Sequence, residues 1–295
     1  SSSAISAASR VGTWNSAEGF VGPDGNALAL RGAAFGNEVW SSNNPSPYHH
    51  TEVDFERLRS MGLNAIRFYM SYKFFEADSA PFVYRQTGWD WLDTNLAWAN
   101  RHGVYLILNF HVPQGGYQSN GGGAALWDDV SNQDRLTALW YNVAKHCAGN
   151  PNVAGYDLVN EPVVTQGKAQ WQALAQRLID TIRTVDTEHL IFVERMNGII
   201  GGSYANDSEM NFVTFNDPYG RTGLTFHFYG PIEFTHRYAS WTSFAKEDGG
   251  SYPDTTILQL GDVTWKTATH SNPKAPEGTT DWAYYSGKWF TVTDT

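Results

Sequence analysis

Short, nearly continuous apolar runs alternate with longer amphipathic segments along most of this chain. The apolar runs predict six strands, at residues 26–36, 63–70, 103–112, 153–162, 189–197 and 223–231. The amphipathic segments predict helices at residues 50–62, 88–103, 132–149 and 168–186. Thr51 is the predicted N-cap of the first helix and Gly62 its stop. Strands that are apolar on both faces and alternate with helices are typical of a parallel sheet covered by helices.

Polar side chains lie at the carboxyl ends of different predicted strands. They are Asn37, Glu38, Arg67, His111, Asn160, Glu161, Glu194, His227 and Tyr229. In a closed barrel these ends form one ring around the active site. The alternative fold is a doubly wound sheet. It is disfavoured because the sequence has no phosphate-binding glycine fingerprint after the first predicted strand. We therefore predict an α/β fold, a (β/α)8 TIM barrel, as a single catalytic domain over residues 1–295 with a flexible tail over residues 1–15.

The composition argues against several classes of protein. The formal charge of −10 disfavours nucleic-acid binding, which needs clustered lysine and arginine. No apolar stretch is long enough to span a bilayer, so we expect no membrane partner. We also expect a monomer. The single cysteine, Cys147, excludes an internal disulfide and is predicted to be an inert core thiol. The 12 tryptophans offer flat apolar faces that suit the C–H faces of sugars.

Four strand-end motifs together resemble one enzyme family. They are Arg67 in "IRF", His111 in "LNFHVPQGG", "NEP" at residues 160–162 and "HFYGPIEFTH" at residues 227–236. In this order they resemble glycoside hydrolase family 5, the cellulase-like group of retaining (β/α)8 glycosidases. The resemblance runs from about residue 18 to about residue 245.

The resemblance implies a role for each matching residue. Glu161 would be the general acid/base, and Asn160 would hydrogen-bond the sugar 2-hydroxyl. Arg67 would hold and acidify the nucleophile carboxylate, to which Tyr229 would hydrogen-bond. The other candidates would shape or stack on the sugar: His111, His227 and Trp40.

The chemistry of glycosidic bond cleavage agrees with the assignment of Glu161. Cleavage needs a proton for the leaving oxygen and an anion opposite the forming oxocarbenium ion. A glutamate at a barrel mouth walled by aromatic rings has the partial burial that raises a carboxyl pKa towards the working pH. The alternative is a surface carboxylate at a strand end, paired with Arg67.

The second carboxylate is not evident, although retaining chemistry needs one about 5–5.5 Å away. The family takes it from a "GEFG"-like sequence after the seventh strand, which this chain lacks. In one interpretation "TTILQLGDVTW" (residues 255–265) is the seventh strand and supplies Asp262. In the favoured one, residues 230–280 form a long cleft-side loop, residues 279–294 begin the sixth helix, and the last one or two strands lie beyond the sequence. Glu194 and Glu233 are fallback partners.

Several minor signals admit two interpretations. Four aromatic residues are sugar platforms or packing residues: Tyr117, Trp127, Trp241 and Trp265. His49 and His50 lack a third ligand at a sensible spacing, so they are interpreted as a solvated loop pair and no metal site is predicted.

Together with these patterns, the resemblance implies a secreted retaining β-glycoside hydrolase, an endo-β-1,4-glucanase, that acts on a polysaccharide or oligosaccharide without metal or organic cofactor. Alternatives within the class are a β-mannanase, an enzyme for xyloglucan or mixed-linkage glucan, and an exo-acting β-glucosidase. A non-catalytic carbohydrate-binding protein on a barrel without its nucleophile is the alternative from another class.

Overall fold

The computed structural model describes residues 12–15, 19–22, 26–47, 49–201, 212–229, 235–236, 239, 282–285 and 288–291. The chain forms two compact units, residues 1–226 and 227–295. The organisation as a single catalytic domain stays a prediction.

The first unit is built on a six-stranded parallel sheet. The strands of this unit are β1 (Gly12–Asn15), β2 (Gly19–Val21), β3 (Gly32–Phe35), β4 (Ala65–Ser71), β5 (Tyr105–Val112), β6 (Val153–Asp157), β7 (Val163–Val164), β8 (Leu190–Glu194), β9 (Gly198–Ile199) and β10 (Thr222–Thr225). The main sheet has the order β10-β8-β6-β5-β4-β3, and every neighbouring pair in it is parallel. All six predicted strands are therefore present, each shorter than the apolar run that predicted it.

Helices connect the strands of the sheet. They are α1 (Glu52–Ser60), α2 (Gln86–His102), α3 (Ala124–Asp128), α4 (Val130–Cys147) and α5 (Lys168–Arg183). The predicted N-cap is confirmed, because the backbone N–H of Thr51 donates to Asp54 Oδ2 at 2.9 Å. In the part of the chain that the structure describes, no helix is both long and apolar enough to cross a membrane.

The core ties two helices to the carboxyl ends of the strands. Trp140 of α4 donates its indole N–H to the carbonyl of Leu158 at 3.0 Å. Trp171 of α5 donates to the carbonyl of Glu194 at 2.7 Å. Both indoles are fully buried, so these bonds fix the backbone at the ends of β6 and β8. Cys147 is buried in the same core, and burial raises the pKa of its thiol, as expected for an inert residue.

Two predictions about the ends of the chain are corrected. Residues 12–15, assigned to a flexible tail, form β1 and pair with β2, because Thr13 and Trp14 favour extended structure. In the second unit, the segment predicted to begin a helix instead forms an antiparallel hairpin of β11 (Trp282–Tyr285) and β12 (Lys288–Thr291). Its aromatic residues flank a Ser-Gly turn signal that the helix interpretation ignored.

Some predictions fall on residues outside this description. The predicted loop over residues 230–280 does so almost entirely. The same holds for Asp262, Glu233, Trp241 and Trp265.

A buried ion pair closes the first unit between α5 and β10. Arg183 donates from Nε and Nη2 to the two carboxylate oxygens of Asp217, at 3.1 and 2.9 Å. Thr222 donates its hydroxyl to the same carboxylate at 2.7 Å. Burial alone would raise the Asp217 pKa, but these hydrogen bonds outweigh it and lower the pKa to about 2.

We expect Asp217→Asn to lower the free energy of unfolding by about 2 kcal/mol at pH 7, because a charged hydrogen-bond partner is lost. The wild-type carboxylate contributes stability that is present above its unfolded pKa, about 4, and is lost as pH falls through about 2. Urea unfolding between pH 2 and 7 should therefore show a shallower acid limb in the variant. Asp134→Asn, in an exposed pair with Arg177, is the matched control and should change little.

Candidate active site

Arg67 of β4 joins residues at the carboxyl ends of two other strands, β6 and β8. Its Nε donates to Asp157 Oδ2 at 2.8 Å, at the last residue of β6. Its Nη2 donates to Glu194 Oε1 at 2.5 Å, at the last residue of β8, and to Asn160 Oδ1 at 3.0 Å. The predicted convergence of polar residues at the carboxyl ends is thus observed for Arg67, Asn160 and Glu194.

The guanidinium of Arg67 is permanently charged in this setting. Burial works against the charge, but the carboxylates of Asp157 and Glu194 outweigh burial and raise its pKa. Two buried carboxylates around one guanidinium leave a formal charge of −1 within this cluster. The cluster is therefore a fixed, mostly buried anchor beneath the strand ends.

Asn160 and Glu161 lie in the turn that follows β6, not in the strand. The strand ends at Asp157, earlier than the predicted end at residue 162. Asn160 is fully buried, and its side-chain amide donates to Ser119 Oγ at 3.0 Å. Glu161 is half-buried and has a φ of 43°, the left-handed region that a non-glycine residue seldom adopts.

Glu194 holds Glu161 in this strained conformation. The backbone N–H of Glu161 donates to Glu194 Oε2 at 2.7 Å, while Arg67 occupies Oε1. Both oxygens of Glu194 are engaged and only 2% of the residue is exposed. A nucleophile must reach a sugar, so this geometry argues against Glu194 as the fallback nucleophile and gives it a positioning role.

A row of stacked rings stands beside the cluster. The rings of Tyr69 and His111 stack with centroids 3.8 Å apart and planes 11° apart, and Tyr117 continues the row 5.7 Å from His111. Trp40 lies perpendicular to all three rings, 5.1 Å from His111. The guanidinium carbon of Arg67 is 5.1 Å from the Tyr69 ring centroid. The row therefore forms an aromatic wall next to the carboxylates, with Trp40 more than half exposed.

A comparison with known protein families shows which family this chain belongs to. The profile of the cellulases, glycosyl hydrolase family 5, matches residues 21–274. The chain belongs to this family. The resemblance drawn from the strand-end motifs is confirmed, and the match extends beyond about residue 245, where that resemblance ends.

The proteins similar to this chain include an endoglucanase and a beta-xylosidase by name. Endoglucanase C of Acetivibrio thermocellus is 26% identical over 196 residues, 66% of this chain and 54% of the relative. A beta-xylosidase of Phanerodontia chrysosporium is 31% identical over 196 residues, 63% of this chain and 39% of the relative. This chain thus spans about half the length, or less, of these relatives.

A solved structure supports the fold. Thermotoga maritima Cel5A in complex with mannotriose has a TM-score of 0.59 at 19% identity, over 78% of this chain and 71% of that one. At this identity the likeness bears on the fold alone. It supports the predicted (β/α)8 barrel, of which the described residues form a part with six parallel strands.

The remaining site predictions have different outcomes. His227 and Tyr229 belong to the second unit, where their rings lie 5.9 Å apart, and their roles stay predictions. Trp127 is buried and donates its indole N–H to Gln118 Oε1 at 2.8 Å, so it is a packing residue.

The sequence analysis did not predict Tyr69 and Asp157 as site residues. Tyr69 lies two residues after Arg67, on the same side of the strand, and this period-two spacing would have identified it.

The interpretation of His49 and His50 as a solvated pair is wrong. His50 is buried among aromatic rings, and its Nε2 lies 2.6 Å from Asn95 Oδ1. The two rings share a hydrogen bond of 3.0 Å between their Nδ1 atoms, and His49 Nε2 accepts from the backbone N–H of Asn37 at 3.1 Å. The pair thereby supports Asn37, whose φ of 51° is also left-handed. Among the described residues no cluster suited to a metal ion occurs.

Proposed function

We propose that this protein is a retaining endo-β-1,4-glucanase. The observation that carries the proposal is the fixed Asn160–Glu161 turn, in which Arg67 holds Asn160 and Glu194 holds the backbone of Glu161. A polar cluster this rigid places one half-buried carboxyl group at the barrel mouth beside an aromatic wall. The endoglucanase among its relatives supports the glucan assignment.

In the first step, Glu161 would donate a proton to the glycosidic oxygen as the bond from this oxygen to the anomeric carbon breaks. A second carboxylate would attack the anomeric carbon from the opposite face and form a glycosyl ester. Asn160 would donate to the sugar 2-hydroxyl through the amide hydrogen that Ser119 does not accept, since Arg67 fixes the amide oxygen.

In the second step, the ionised Glu161 would take a proton from water while the water oxygen attacks the anomeric carbon. The ester bond then breaks, the second carboxylate is released, and Glu161 is again protonated. Both steps invert the anomeric carbon, so the product keeps the configuration of the substrate.

Asp262 remains the candidate for the second carboxylate within this sequence, and it lies outside the described residues. A 2-deoxy-2-fluoro glycoside with a good leaving group would trap the glycosyl ester. Peptide mass spectrometry of the trapped protein would then name the modified residue. A label on any residue other than Asp262 would reject this candidate and still support the double displacement.

The activity is tested by reducing-end release on soluble cellulose derivative, mixed-linkage glucan, mannan, xyloglucan and xylan. We expect turnover to be highest on the β-1,4-glucan, with a fall in viscosity well ahead of reducing-end release, because internal cleavage shortens chains quickly. Proton NMR of early product should show the β-anomer first. Release of single sugars without a fall in viscosity would establish an exo-acting enzyme instead.

A second candidate is a related β-glycanase or β-glycosidase with another sugar. It is favoured by the beta-xylosidase among the relatives. The same substrate panel decides between these sugars. Binding without turnover on any glycan, by folded protein, would favour a carbohydrate-binding protein.

We also propose that the protein acts outside the cell, because its polymeric substrate is extracellular, and that it acts as a monomer.

A further inference from the structure

A large cavity extends away from the aromatic wall. Its volume is about 1120 Å³, above the roughly 300–1,000 Å³ typical of sites for one small molecule. Trp40 and Tyr117 belong to the aromatic wall and also line the cavity, so the cavity adjoins this wall. Its other walls come from the segments after β3, β4 and β5 and from the start of α4.

Phe82 stands in the wall of this cavity in an unusual conformation. Its φ is 63°, the left-handed region where a bulky side chain is costly, and 51% of the residue is exposed. An exposed aromatic ring contributes little to the free energy of folding, because it buries little apolar surface. Strain of this kind persists only where surrounding groups hold it, and it clusters at functional sites.

Glu76 is the group that holds Phe82. Its Oε2 accepts from the backbone N–H of Phe82 at 2.9 Å. Its Oε1 accepts from Arg135 Nε of α4 at 2.9 Å and from Gln114 Nε2, after β5, at 2.7 Å. The carboxylate is fully buried, so it links the Phe82 turn to two other walls of the cavity. The proposed hydrolytic steps make no use of it.

The charges of the cavity wall suit a neutral ligand. Lys73 and Arg135 contribute two positive charges, and Asp78 and Asp129 contribute two negative ones. The remaining polar lining consists largely of short hydroxyl and amide side chains, such as Ser42 and Asn120. Hydrogen-bond donors and acceptors beside aromatic faces are the groups that recognise sugar hydroxyls and C–H faces.

We propose that this cavity binds sugar units of the glycan chain beyond the cleavage point, with Phe82 as a stacking platform and Glu76 as its positioning residue. This inference rests on the proposed function, because it assigns the cavity to the same substrate. A chain that enters the cavity past Trp40 would contact the ring of Phe82 only when it is long enough to reach it.

The test is the dependence of kcat/KM on chain length, measured with β-1,4-linked oligosaccharides of increasing length and with a short aryl glycoside. For the wild type we expect kcat/KM to rise until the cavity is filled. Phe82→Ala should lower kcat/KM about tenfold on the longest oligosaccharides, through KM, and leave the aryl glycoside unchanged. Phe82→Tyr, which keeps the ring, should retain the wild-type rise.

Two further variants separate positioning from general damage. Glu76→Gln should reproduce the selective loss on long chains without changing kcat on the aryl glycoside. Val83, the neighbour of Phe82, is 64% exposed and does not line the cavity. Val83→Ala should therefore match the wild type. An equal effect of Phe82→Ala on short and long substrates, or none on either, overturns the proposal.

Failure of the proposed function is distinguishable from failure of this inference. If the chain hydrolyses no glycan, the same oligosaccharides are titrated against tryptophan fluorescence. Tighter binding of longer chains that Phe82→Ala abolishes would support the subsite without hydrolysis. Equal affinity for the wild type and Phe82→Ala at every length would reject it.

Discussion

Glu161→Gln is expected to lose about 10³-fold in kcat on polymeric substrate, because the proton for the leaving oxygen is gone. The amide keeps the size of the side chain, and the backbone bond from residue 161 to Glu194 does not involve the changed group. An aryl glycoside with a dinitrophenyl leaving group needs no protonation to depart. We therefore expect its first step, the release of dinitrophenol in a burst, to be nearly unchanged.

The two substrates together identify the role of Glu161. The second step still needs a base, so steady-state turnover of the aryl glycoside should fall after the burst. Glu188→Gln, at a partly exposed glutamate paired with Arg221, is the matched control and should leave both substrates unaffected. An equal loss of the burst and of polymer hydrolysis would contradict the acid/base assignment and point to the nucleophile instead.

Arg67→Met is expected to lower the free energy of unfolding by about 4 kcal/mol, the largest stability effect that we predict. The substitution keeps much of the side-chain length and removes the charge, which leaves the carboxylates of Asp157 and Glu194 buried without their cation. Breaking a buried ion pair on one side costs about 3–5 kcal/mol, because the remaining charge is uncompensated. Urea unfolding at pH 7 measures the loss, and hydrolysis should also fall, because Asn160 loses its hydrogen bond to Arg67.

Arg177→Met is the matched control for this stability measurement. Arg177 pairs with Asp134 at 2.6 Å, but the two side chains are 43% and 46% exposed. Exposed pairs contribute about 0–1 kcal/mol, so this variant should unfold close to the wild type. Similar losses for the two variants would show that the Arg67 cluster does not behave as a buried network.

The sequence was sufficient to predict the fold and the main convergence of side chains. Period and apolarity identified the strands and helices, and the barrel geometry then required Arg67, Asn160 and Glu194 to meet at one rim. This step works because the carboxyl ends of parallel strands share one edge, whatever the details of each loop. The hairpin over β11 and β12 was missed because the aromatic residues there fit a helix and a strand pattern alike.

The local geometry of the site was beyond sequence reasoning for physical reasons. The left-handed φ of Glu161 depends on the hydrogen bond that its backbone N–H donates to Glu194, 33 residues away. Glu76 gave no signal because its partners, Phe82, Gln114 and Arg135, belong to three separate segments. Long-range polar contacts of this kind have no period that a sequence can show.

The glycines of the loop after β5 limit how this cleft can be redesigned. A Cβ on Gly115, whose φ is 86°, would meet the backbone nitrogen of Leu126 at 2.2 Å. A Cβ on Gly116, whose φ is 115°, would meet the carbonyl oxygen of Gly122 at 2.9 Å. Mutagenesis libraries that randomise these positions would consist mainly of misfolded proteins. Diversity aimed at a new sugar preference belongs instead at neighbouring wall positions with side chains, such as Ser42, Asn120 and Asn132.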